Sequence, residues 1–373
     1  MKKKLLSVLL SMAMVATLFV GCGQNNANAD ANADANVEAD ADANAGGEEA
    51  AGPLHFEIVS KGFQHQYWQA VLKGSQNKAA ELGDTINFVG PDSESDIAGQ
   101  VQMLQNAINA QPDAIGLAAL DTSACLDAII TAQEAGIPIV GFDSGVPGAP
   151  AGAIAANAAT DNYAAGVLAA EETFKLIEEK LVAGVRIGVM GQDATAESII
   201  NRGLGFIDKM GELVAAKGLS VVVDGNEKYV ADSKVEAGKE ADVVIEVLVP
   251  SAVQNELSIT NGKTLLDKAD TICIYGSNQF SAENLVSADE NTGKLGTSVV
   301  GIGFDSGAAL KAAVASGKLS GAITQAPVAM GETLVQLLHD AATGKSVSDV
   351  DTGCQWYTAD NMTNPEIDQN LYD

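Results

Sequence analysis

Short apolar runs alternate with longer stretches of helical periodicity along most of this 373-residue chain. The short runs are rich in Val and Ile, a composition that is typical of buried strands. The longer stretches place apolar residues three and four positions apart, which is typical of amphipathic helices. Strands separated by helices of about 10–15 residues indicate βαβ units, so the pattern predicts an α/β fold with parallel sheets.

The alternation begins at Leu54. The predicted strands are Leu54–Ser60, Ile86–Val89, Ala114–Ala118, Ile137–Phe142, Arg186–Met190, Leu219–Val223, Thr271–Tyr275, Val299–Gly303 and Gly321–Thr324. The predicted helices are Tyr67–Leu82, Ile97–Asn109, Cys125–Ala135, Tyr163–Leu181 and Ser198–Val214. Because so many strands suit two sheets better than one, we expect two doubly wound lobes. The stretch from Ala231 to Asp270 lacks clear turn signals, and its pattern assigns no elements there.

One pentapeptide, Gly-Phe-Asp-Ser-Gly, occurs twice, at Gly141–Gly145 and at Gly303–Gly307. Each copy follows an apolar run, so Asp143 and Asp305 both lie just past the end of a predicted strand. In open α/β sheets, ligands bind outside the carboxyl ends of the strands. Internal repetition is also an architectural signal, which disfavours coincidence between two ordinary turns. The repeat therefore predicts two similar halves that aim matching carboxylates at one ligand.

Composition and motif searches exclude several classes of function. The 21 Lys and Arg residues face 49 Asp and Glu residues, and a formal charge of -28 repels phosphate backbones, so we expect no nucleic-acid partner. The three histidines (His55, His65 and His339) lack the spacing of metal ligands. Phosphate-binding loops, a dinucleotide fingerprint and a nucleophile elbow are also missing from the sequence. We therefore expect no metal and no cofactor.

The first residues have the pattern of an export signal. Three lysines at positions 2–4 precede an uncharged stretch from Leu5 to Val20, and Cys22 follows shortly after. The end of this stretch resembles the lipobox of bacterial lipoproteins, in which the signal is cleaved before a Cys that carries diacylglycerol, although Phe19 stands where Leu is usual. We expect residues 1–22 to be a lipoprotein signal peptide with the lipid attached to Cys22.

The alternative for this stretch is a membrane-spanning helix, but the stretch is somewhat short of the ~20 residues that a span prefers. Residues 23–53 consist mainly of Asn, Ala, Asp, Gly and Glu. Such a composition buries too little apolar surface to offset the entropy of ordering, so we expect a disordered acidic linker.

Polar and aromatic residues occupy several of the predicted strand ends. Charged and amide side chains form hydrogen bonds with the hydroxyl groups of a sugar, and flat aromatic rings pack against its apolar faces. One such residue alone is often a helix cap or part of the core. Convergence of the whole set favours a ligand site. The set comprises Tyr67, Trp68, Asp143, Arg202, Asn278, Asp305 and Gln325.

On these residues, the region from about Leu54 to Tyr357 resembles the ribose/galactose-type sugar-binding proteins of bacterial ABC importers. The resemblance implies that the seven residues contact a sugar. His65 falls where ribose binders have an Asn, and Ser144 where they have an Arg beside the aspartate. The loss of the guanidinium at Ser144 puts ribose itself in doubt and allows a differently decorated sugar or polyol. Tyr229 is the candidate for an aromatic residue that the family places in the second lobe.

The resemblance further implies a two-lobed binding protein, not an enzyme, with a three-segment hinge. We expect lobe I at residues 54–160 plus 327–350 and lobe II at residues 161–326 plus 351–373. The chain would cross near Ala158–Asn162, Gln325–Pro327 and Asp351–Cys354. The implied partners are a small sugar, the permease of an ABC importer, and the membrane through Cys22.

Two alternatives stay open at this point. A sensor would present the same closed, ligand-bound form to a chemoreceptor or kinase. A glycoside hydrolase would use Asp143 and Asp305 as a catalytic pair, which requires carboxyl groups about 5–10 Å apart. Sugar-responsive repressors are disfavoured because an export signal and an acidic linker stand where they carry a DNA-binding motif.

Overall fold

The computed structural model describes residues 52–63 and 65–373, and in this part of the chain two β-sheets are flanked by helices. The predicted signal peptide, Cys22 and residues 23–51 of the predicted linker lie outside the described residues. Within the described part, none of the helices is both long and apolar enough to cross a membrane.

Strands and helices alternate along most of the chain. The strands are β1 (His55–Val59), β2 (Thr85–Val89), β3 (Ala114–Leu117), β4 (Ile139–Phe142), β5 (Ala156–Ala159), β6 (Val185–Met190), β7 (Val221–Gly225), β8 (Val243–Leu248), β9 (Thr271–Gly276), β10 (Val300–Phe304), β11 (Gly321–Gln325), β12 (Val350–Asp351) and β13 (Cys354–Tyr357). The helices are α1 (Gln66–Leu82), α2 (Ile97–Asn109), α3 (Leu126–Glu134), α4 (Asn162–Ile177), α5 (Glu197–Ala216), α6 (Glu227–Asp232), α7 (Asn255–Asp267), α8 (Gln279–Ala288), α9 (Ala308–Ala315), α10 (Pro327–Ala342) and α11 (Pro365–Asp368). The alternation is interrupted where β5 follows β4 and β13 follows β12 without a helix between them.

Each sheet belongs to one lobe. The first sheet has the order β12-β5-β4-β3-β1-β2 and is parallel throughout. The second has the order β13-β11-β10-β9-β6-β8-β7, and within it β13 runs antiparallel to β11. We call the first sheet with α1, α2, α3 and α10 lobe I, and the second sheet with the other helices lobe II. The predicted fold class is confirmed.

Both faces of each sheet are covered, as parallel sheets require. In lobe I one apolar cluster includes Phe56 and Leu334, and a second on the opposite face includes Leu104 and Ile129. Lobe II has the same two-sided arrangement. The strands therefore consist of nearly continuous buried residues, which is why their apolar runs were readable from the sequence.

The unassigned stretch from Ala231 to Asp270 contains strand β8 and helix α7. In β8 the apolar run is interrupted by Glu246, whose carboxylate pairs with Arg186 (2.9 Å). Strand β5 was also missed, because its sequence Ala-Asn-Ala-Ala has no β-branched or aromatic residue. It forms a strand because β4 and β12 lie on either side of it.

Glycines allow two pairs of helices to approach closely, one pair in each lobe. A Cβ added to Gly331 of α10 would lie 2.1 Å from the carbonyl oxygen of Val71 in α1. In lobe II, a Cβ on Gly205 of α5 would lie 2.1 Å from the carbonyl oxygen of Tyr163 in α4. Real Cβ atoms do not come so close, so α5 can pack against α4 at this distance only because residue 205 is a glycine. That contact positions the helix that carries Arg202.

Substitution of Gly205 by Ala is expected to lower the free energy of unfolding by about 1–3 kcal/mol, since the added methyl group overpacks the contact between α4 and α5. Urea unfolding followed by circular dichroism measures this change. The matched control is Gly148→Ala, where the nearest atom, Cδ1 of Leu126, is at an ordinary 3.8 Å. Equal stability of the two variants would contradict this account.

Candidate functional site

The two repeated aspartates adopt the same unusual backbone conformation. Asp143 has φ 56° and Asp305 has φ 73°, in the left-handed region that few residues other than glycine occupy. The backbone N–H of Asp143 donates to the carbonyl of Ala158 (3.1 Å), and that of Asp305 donates to the carbonyl of Ile323 (2.6 Å). The repeat therefore builds one local turn twice, and such turns are frequent at functional sites.

Arg202 lies between the two aspartates. One terminal guanidinium nitrogen is 3.9 Å from Asp143 Oδ1, and the other is 3.8 Å from Asp305 Oδ2. The guanidinium carbon stacks 4.1 Å from the ring centre of Phe304, and Nε donates to Asn162 Oδ1 (2.7 Å). Burial by itself would lower the pKa of Arg202, but the two carboxylates outweigh it and raise the pKa. Carboxylates from both lobes thus share one buried cation.

Around these groups lies a cavity of about 20 Å³, which has room for about one water molecule but not for a monosaccharide. Side chains from both lobes fill the cleft, so a monosaccharide enters only if the lobes separate. A larger groove of about 550 Å³ lies between Tyr163 and Lys234, but its lining residues all belong to lobe II. The small cavity is lined by Lys61, His65, Tyr67, Trp68, Glu94, Asp143, Ile199, Arg202, Asn278, Gln279, Asp305 and Gln325.

The structure brings eight of the nine residues predicted from the sequence to this cavity. On lobe I, Tyr67 and Trp68 stand edge to face with their rings 5.0 Å apart. The Tyr67 hydroxyl donates to Asp143 Oδ1 (2.9 Å), and burial followed by the Asp143 charge raises the pKa of Tyr67. His65 places Nε2 at 3.8 Å from Glu94 Oε1. These rings form the aromatic wall of the cavity.

Strand ends of lobe II supply the opposite wall. Gln325 donates from Nε2 to Asp305 Oδ1 (2.7 Å), and the backbone N–H of Gln279 donates to Asp305 Oδ2 (3.1 Å). Burial raises the pKa of Asp305, although Arg202 and these donors oppose the rise. The Oε1 atoms of Gln279 and Gln325 are buried and accept no hydrogen bond from the described residues. Buried acceptors of this kind need a partner, and a ligand hydroxyl would supply it.

Ser144 was expected at the ligand but does not line the cavity. Its Oγ accepts a hydrogen bond from the backbone N–H of Ser198 (3.2 Å) at the start of α5. The left-handed turn at Asp143 directs that carboxylate into the cavity, and Ser144 contacts lobe II beside it. Tyr229 also lies away from the cavity, because its hydroxyl donates to the carbonyls of Asp193 (3.2 Å) and Ile199 (3.1 Å).

Lys61 and Glu94 are charged residues of the cavity that the sequence reasoning missed. Lys61 is 3% exposed, and its Nζ lies 2.9 Å from Asp143 Oδ2 and donates to Ser198 Oγ (3.1 Å). Burial would lower the pKa of Lys61, but Asp143 and Glu94 outweigh it and raise the pKa. Lys61 follows β1 as Asp143 follows β4, so the strand-end rule could have found it.

Within residues 52–63 and 65–373, no group of three or more His, Cys, Asp or Glu side chains is arranged to hold a metal ion. The charged groups of the cavity instead pair with one another. Arg202 pairs with Asp143 across the cleft, and it pairs with Asp305 within lobe II. These groups form a set of fixed donors and acceptors suited to a polar, uncharged ligand.

A family model described as "Periplasmic binding protein domain" matches residues 56–346. The chain belongs to the periplasmic binding protein family. The resemblance drawn from the sequence is therefore confirmed, and membership implies an extracytoplasmic location.

Relatives of this periplasmic binding protein include named sugar binders. It is 24% identical over 290 residues to the ribose import binding protein of Bacillus subtilis strain 168, covering 75% of this chain and 79% of that protein. It is also 24% identical over 319 residues to the D-allose-binding periplasmic protein of Escherichia coli K12, with 84% and 92% covered. Both relatives are binding proteins by name rather than enzymes.

A solved structure from Agrobacterium vitis has the same fold. It is an ABC transporter solute-binding protein with bound D-fucose, and it is 31% identical to this chain with a TM-score of 0.71. The match covers 85% of this chain and 100% of that chain. Two α/β lobes around a cleft are thus the architecture of a sugar-bound relative.

Replacing Arg202 by Leu is expected to lower the free energy of unfolding by about 3–5 kcal/mol at neutral pH, because two buried carboxylates lose their shared cation. The deficit should shrink as the pH falls. Burial already raises the pKa of Asp305, and loss of the guanidinium raises it further. A carboxyl with a raised folded-state pKa stabilises the protein at low pH, and this contribution disappears as the pH rises through that value.

Urea unfolding between about pH 4 and pH 7 measures both effects. Arg186→Leu is the control, because Arg186 is partly exposed in its ion pairs with Glu246 (2.9 Å) and Asp270 (3.2 Å). If Arg202→Leu lost no more stability than this control and showed no dependence on pH, the shared cation would not stabilise the cleft.

Proposed function

We propose that this protein is the solute-binding component of an ABC importer, lipid-anchored outside the cytoplasm, and that it captures a monosaccharide or related polyol by closure of its cleft. The observation that carries the proposal is the convergence of Asp143 and Asp305, one from each lobe, on Arg202 within a buried polar cavity. The permease would then recognise the closed form and receive the ligand.

The chemistry of the cavity favours a polyhydroxylated ligand. Carboxylates accept hydroxyl hydrogens strongly, and Lys61 and Arg202 donate to hydroxyl or ring oxygens. Gln279 and Gln325 offer buried acceptors. The rings of Tyr67 and Trp68 provide flat apolar surface for the C–H faces of a sugar. The relatives named as ribose and allose binders support this ligand class.

Closure is the proposed mechanism, with lobe I at residues 54–160 plus 327–350 and lobe II at residues 161–326 plus 351–373, apart from Asp351, which ends strand β12 of lobe I. The segments that join the lobes bond to one another: Thr160 Oγ1 donates to the carbonyl of Gly353 (3.2 Å), and the backbone N–H of Thr352 donates to the carbonyl of Ala159 (3.0 Å). These segments form the hinge. A ligand that touches both lobes binds the closed form more tightly and so shifts the protein toward it.

A thermal-shift screen over D-ribose, D-allose, D-fucose, D-galactose and xylitol tests the function. A sugar present at 100 times its Kd stabilises the folded protein by about 2.7 kcal/mol, which raises the melting temperature measurably. An affinity near micromolar, about -8 kcal/mol, would be ordinary for this chemistry. Unchanged melting with every sugar and with xylitol would count against the proposal.

Asp305→Ala should weaken binding of the sugar identified in that screen by about 100-fold or more, since hydroxyl donors and Arg202 lose their acceptor. Isothermal titration calorimetry measures the loss. Asp267→Ala, at an exposed position of α7, is the control and should bind normally. Unchanged affinity in Asp305→Ala would remove Asp305 from the site.

The lipid anchor rests on the sequence at Cys22, so mass spectrometry of the mature N-terminus is its test. We expect cleavage before Cys22 and added diacylglycerol on this residue, and Cys22→Ala should abolish both. Two or more acyl chains are needed for stable anchoring, so the wild type should partition into detergent. Cys125→Ala is the control and keeps the lipid. An unmodified Cys22 in the wild type would rule out the anchor.

A further inference from the structure

A chain of hydrogen-bonded side chains crosses the cleft beside the cavity. From lobe I, Trp68 Nε1 donates to Glu94 Oε1 (2.8 Å). From lobe II, Gln192 donates from Nε2 to Glu94 Oε2 (2.8 Å), and Asn278 donates from Nδ2 to Gln192 Oε1 (2.7 Å). Gln192 is 1% exposed and is not among the residues that line the cavity. It therefore connects two residues of the cavity wall from behind, one in each lobe.

The direction of every bond in this chain is fixed from both ends. At the lobe I end, both carboxylate oxygens of Glu94 accept, one from Trp68 and one from Gln192. Gln192 therefore presents its nitrogen to Glu94 and its oxygen to Asn278. At the lobe II end, Asn278 Oδ1 accepts from the backbone N–H of Ser281 (3.0 Å) at the start of α8, and a backbone N–H only donates. Both ends thus impose the same orientation on the two amides.

We infer that Gln192 is a positioning residue that sets the affinity of the cleft by orienting Asn278 and by joining it to Glu94 when the lobes close. This inference rests in part on the proposed function. Asn278 Oδ1 already accepts from Ser281, and one hydrogen of Asn278 Nδ2 is donated to Gln192. The second hydrogen of Nδ2 makes Asn278 a donor toward the cavity that it lines. The ligand atom beside Asn278 is therefore an oxygen that accepts, whereas Asp143 and Asp305 face hydroxyl groups that donate.

Charged groups around Gln192 support the same orientation. Asp193 Oδ2 lies 3.3 Å from Gln192 Nε2, so two carboxylates attract the amide nitrogen. Asp193 is itself held by the backbone N–H groups of Thr195 (3.0 Å) and Ala196 (2.9 Å). Because hydrogen bonds to charged groups are stronger than neutral ones, loss of the Gln192 amide should be felt more than loss of an ordinary buried amide.

The test uses the Trp356→Phe background, which leaves Trp68 as the one tryptophan of the chain. In this background, Gln192→Ala should bind the sugar identified by the thermal-shift screen about 10- to 100-fold more weakly, mainly through faster dissociation. Without sugar, Gln192→Ala should show red-shifted Trp68 emission and a larger radius of gyration in small-angle X-ray scattering. These two readouts report separation of the lobes, which a merely structural role of Gln192 would not change.

Gln100→Ala is the matched control. Gln100 is a fully buried glutamine, and the hydrogen bonds of its side-chain amide lie within lobe I. Its Nε2 donates to the carbonyls of Ser60 (2.9 Å) and Ala118 (2.8 Å). Its loss should reduce stability but should leave the radius of gyration and the Trp68 emission of the folded protein unchanged. If Gln100→Ala matched Gln192→Ala in affinity, emission and scattering, the inference would be overturned.

A reversal of polarity provides a second test that does not depend on removing side-chain volume. Gln192→Glu places a carboxylate against Glu94 and should weaken binding at least as much as Gln192→Ala. Adding Glu94→Gln places an amide donor at position 94 opposite the carboxylate acceptor at position 192. The double variant should therefore bind at least severalfold more tightly than Gln192→Glu alone. A double variant no better than Gln192→Glu would contradict the inference.

The outcomes separate the two proposals. If the wild type bound none of the compounds in the screen, the proposed function would fail, and scattering and Trp68 emission would still decide whether Gln192 holds the lobes together. If the wild type bound a sugar and Gln192→Ala bound it equally well with the same radius of gyration, the inference would fail and the proposed function would stand.

Discussion

Two carboxylates of like charge, Asp143 and Asp305, are buried at one cleft, and the guanidinium of Arg202 lies between them. Burying such groups costs several kcal/mol per ion unless they are paired and hydrogen-bonded. The rest of the cleft supplies that compensation. Lys61 pairs with Asp143 and Gln325 donates to Asp305, so each acid has a second partner besides Arg202.

Because the compensation comes from both lobes, the proposed closure over a ligand would couple ligand binding to these charges. Arg202 belongs to lobe II but contacts the acid of lobe I, and Lys61 belongs to lobe I but donates to Ser198 of lobe II. Opening the cleft exchanges these contacts for water, and closing it over a sugar exchanges water for hydroxyl groups. A ligand that makes contacts only in the closed form would then shift the protein toward that form.

Besides positioning its aspartate, each copy of the repeated pentapeptide places a serine in a structural contact. In the first copy, Ser144 of lobe I accepts a hydrogen bond from the start of α5 in lobe II. In the second copy, Ser306 of lobe II accepts from the backbone N–H of Tyr372 (2.9 Å), whose ring stands 6.2 Å from Tyr67 of lobe I. Each copy therefore directs its aspartate into the cavity. Ser144 contacts the other lobe directly. Ser306 instead holds Tyr372, whose ring lies beside Tyr67 of the other lobe.

The sequence by itself determined the α/β class and the position of most cavity residues. Buried parallel strands give apolar runs and their carboxyl ends meet at one edge, so polar residues such as Asp143, Asn278 and Gln325 were identifiable from their place after a strand. It failed at β5, where pairing with neighbouring strands outweighs the weak propensity of Ala-Asn-Ala-Ala. Only the tertiary structure decided that Glu94 and Gln192 meet across the cleft and that Ser144 does not line it. Such contacts join loops of different lobes, and their distances depend on how far the lobes close, which local patterns along the chain do not encode.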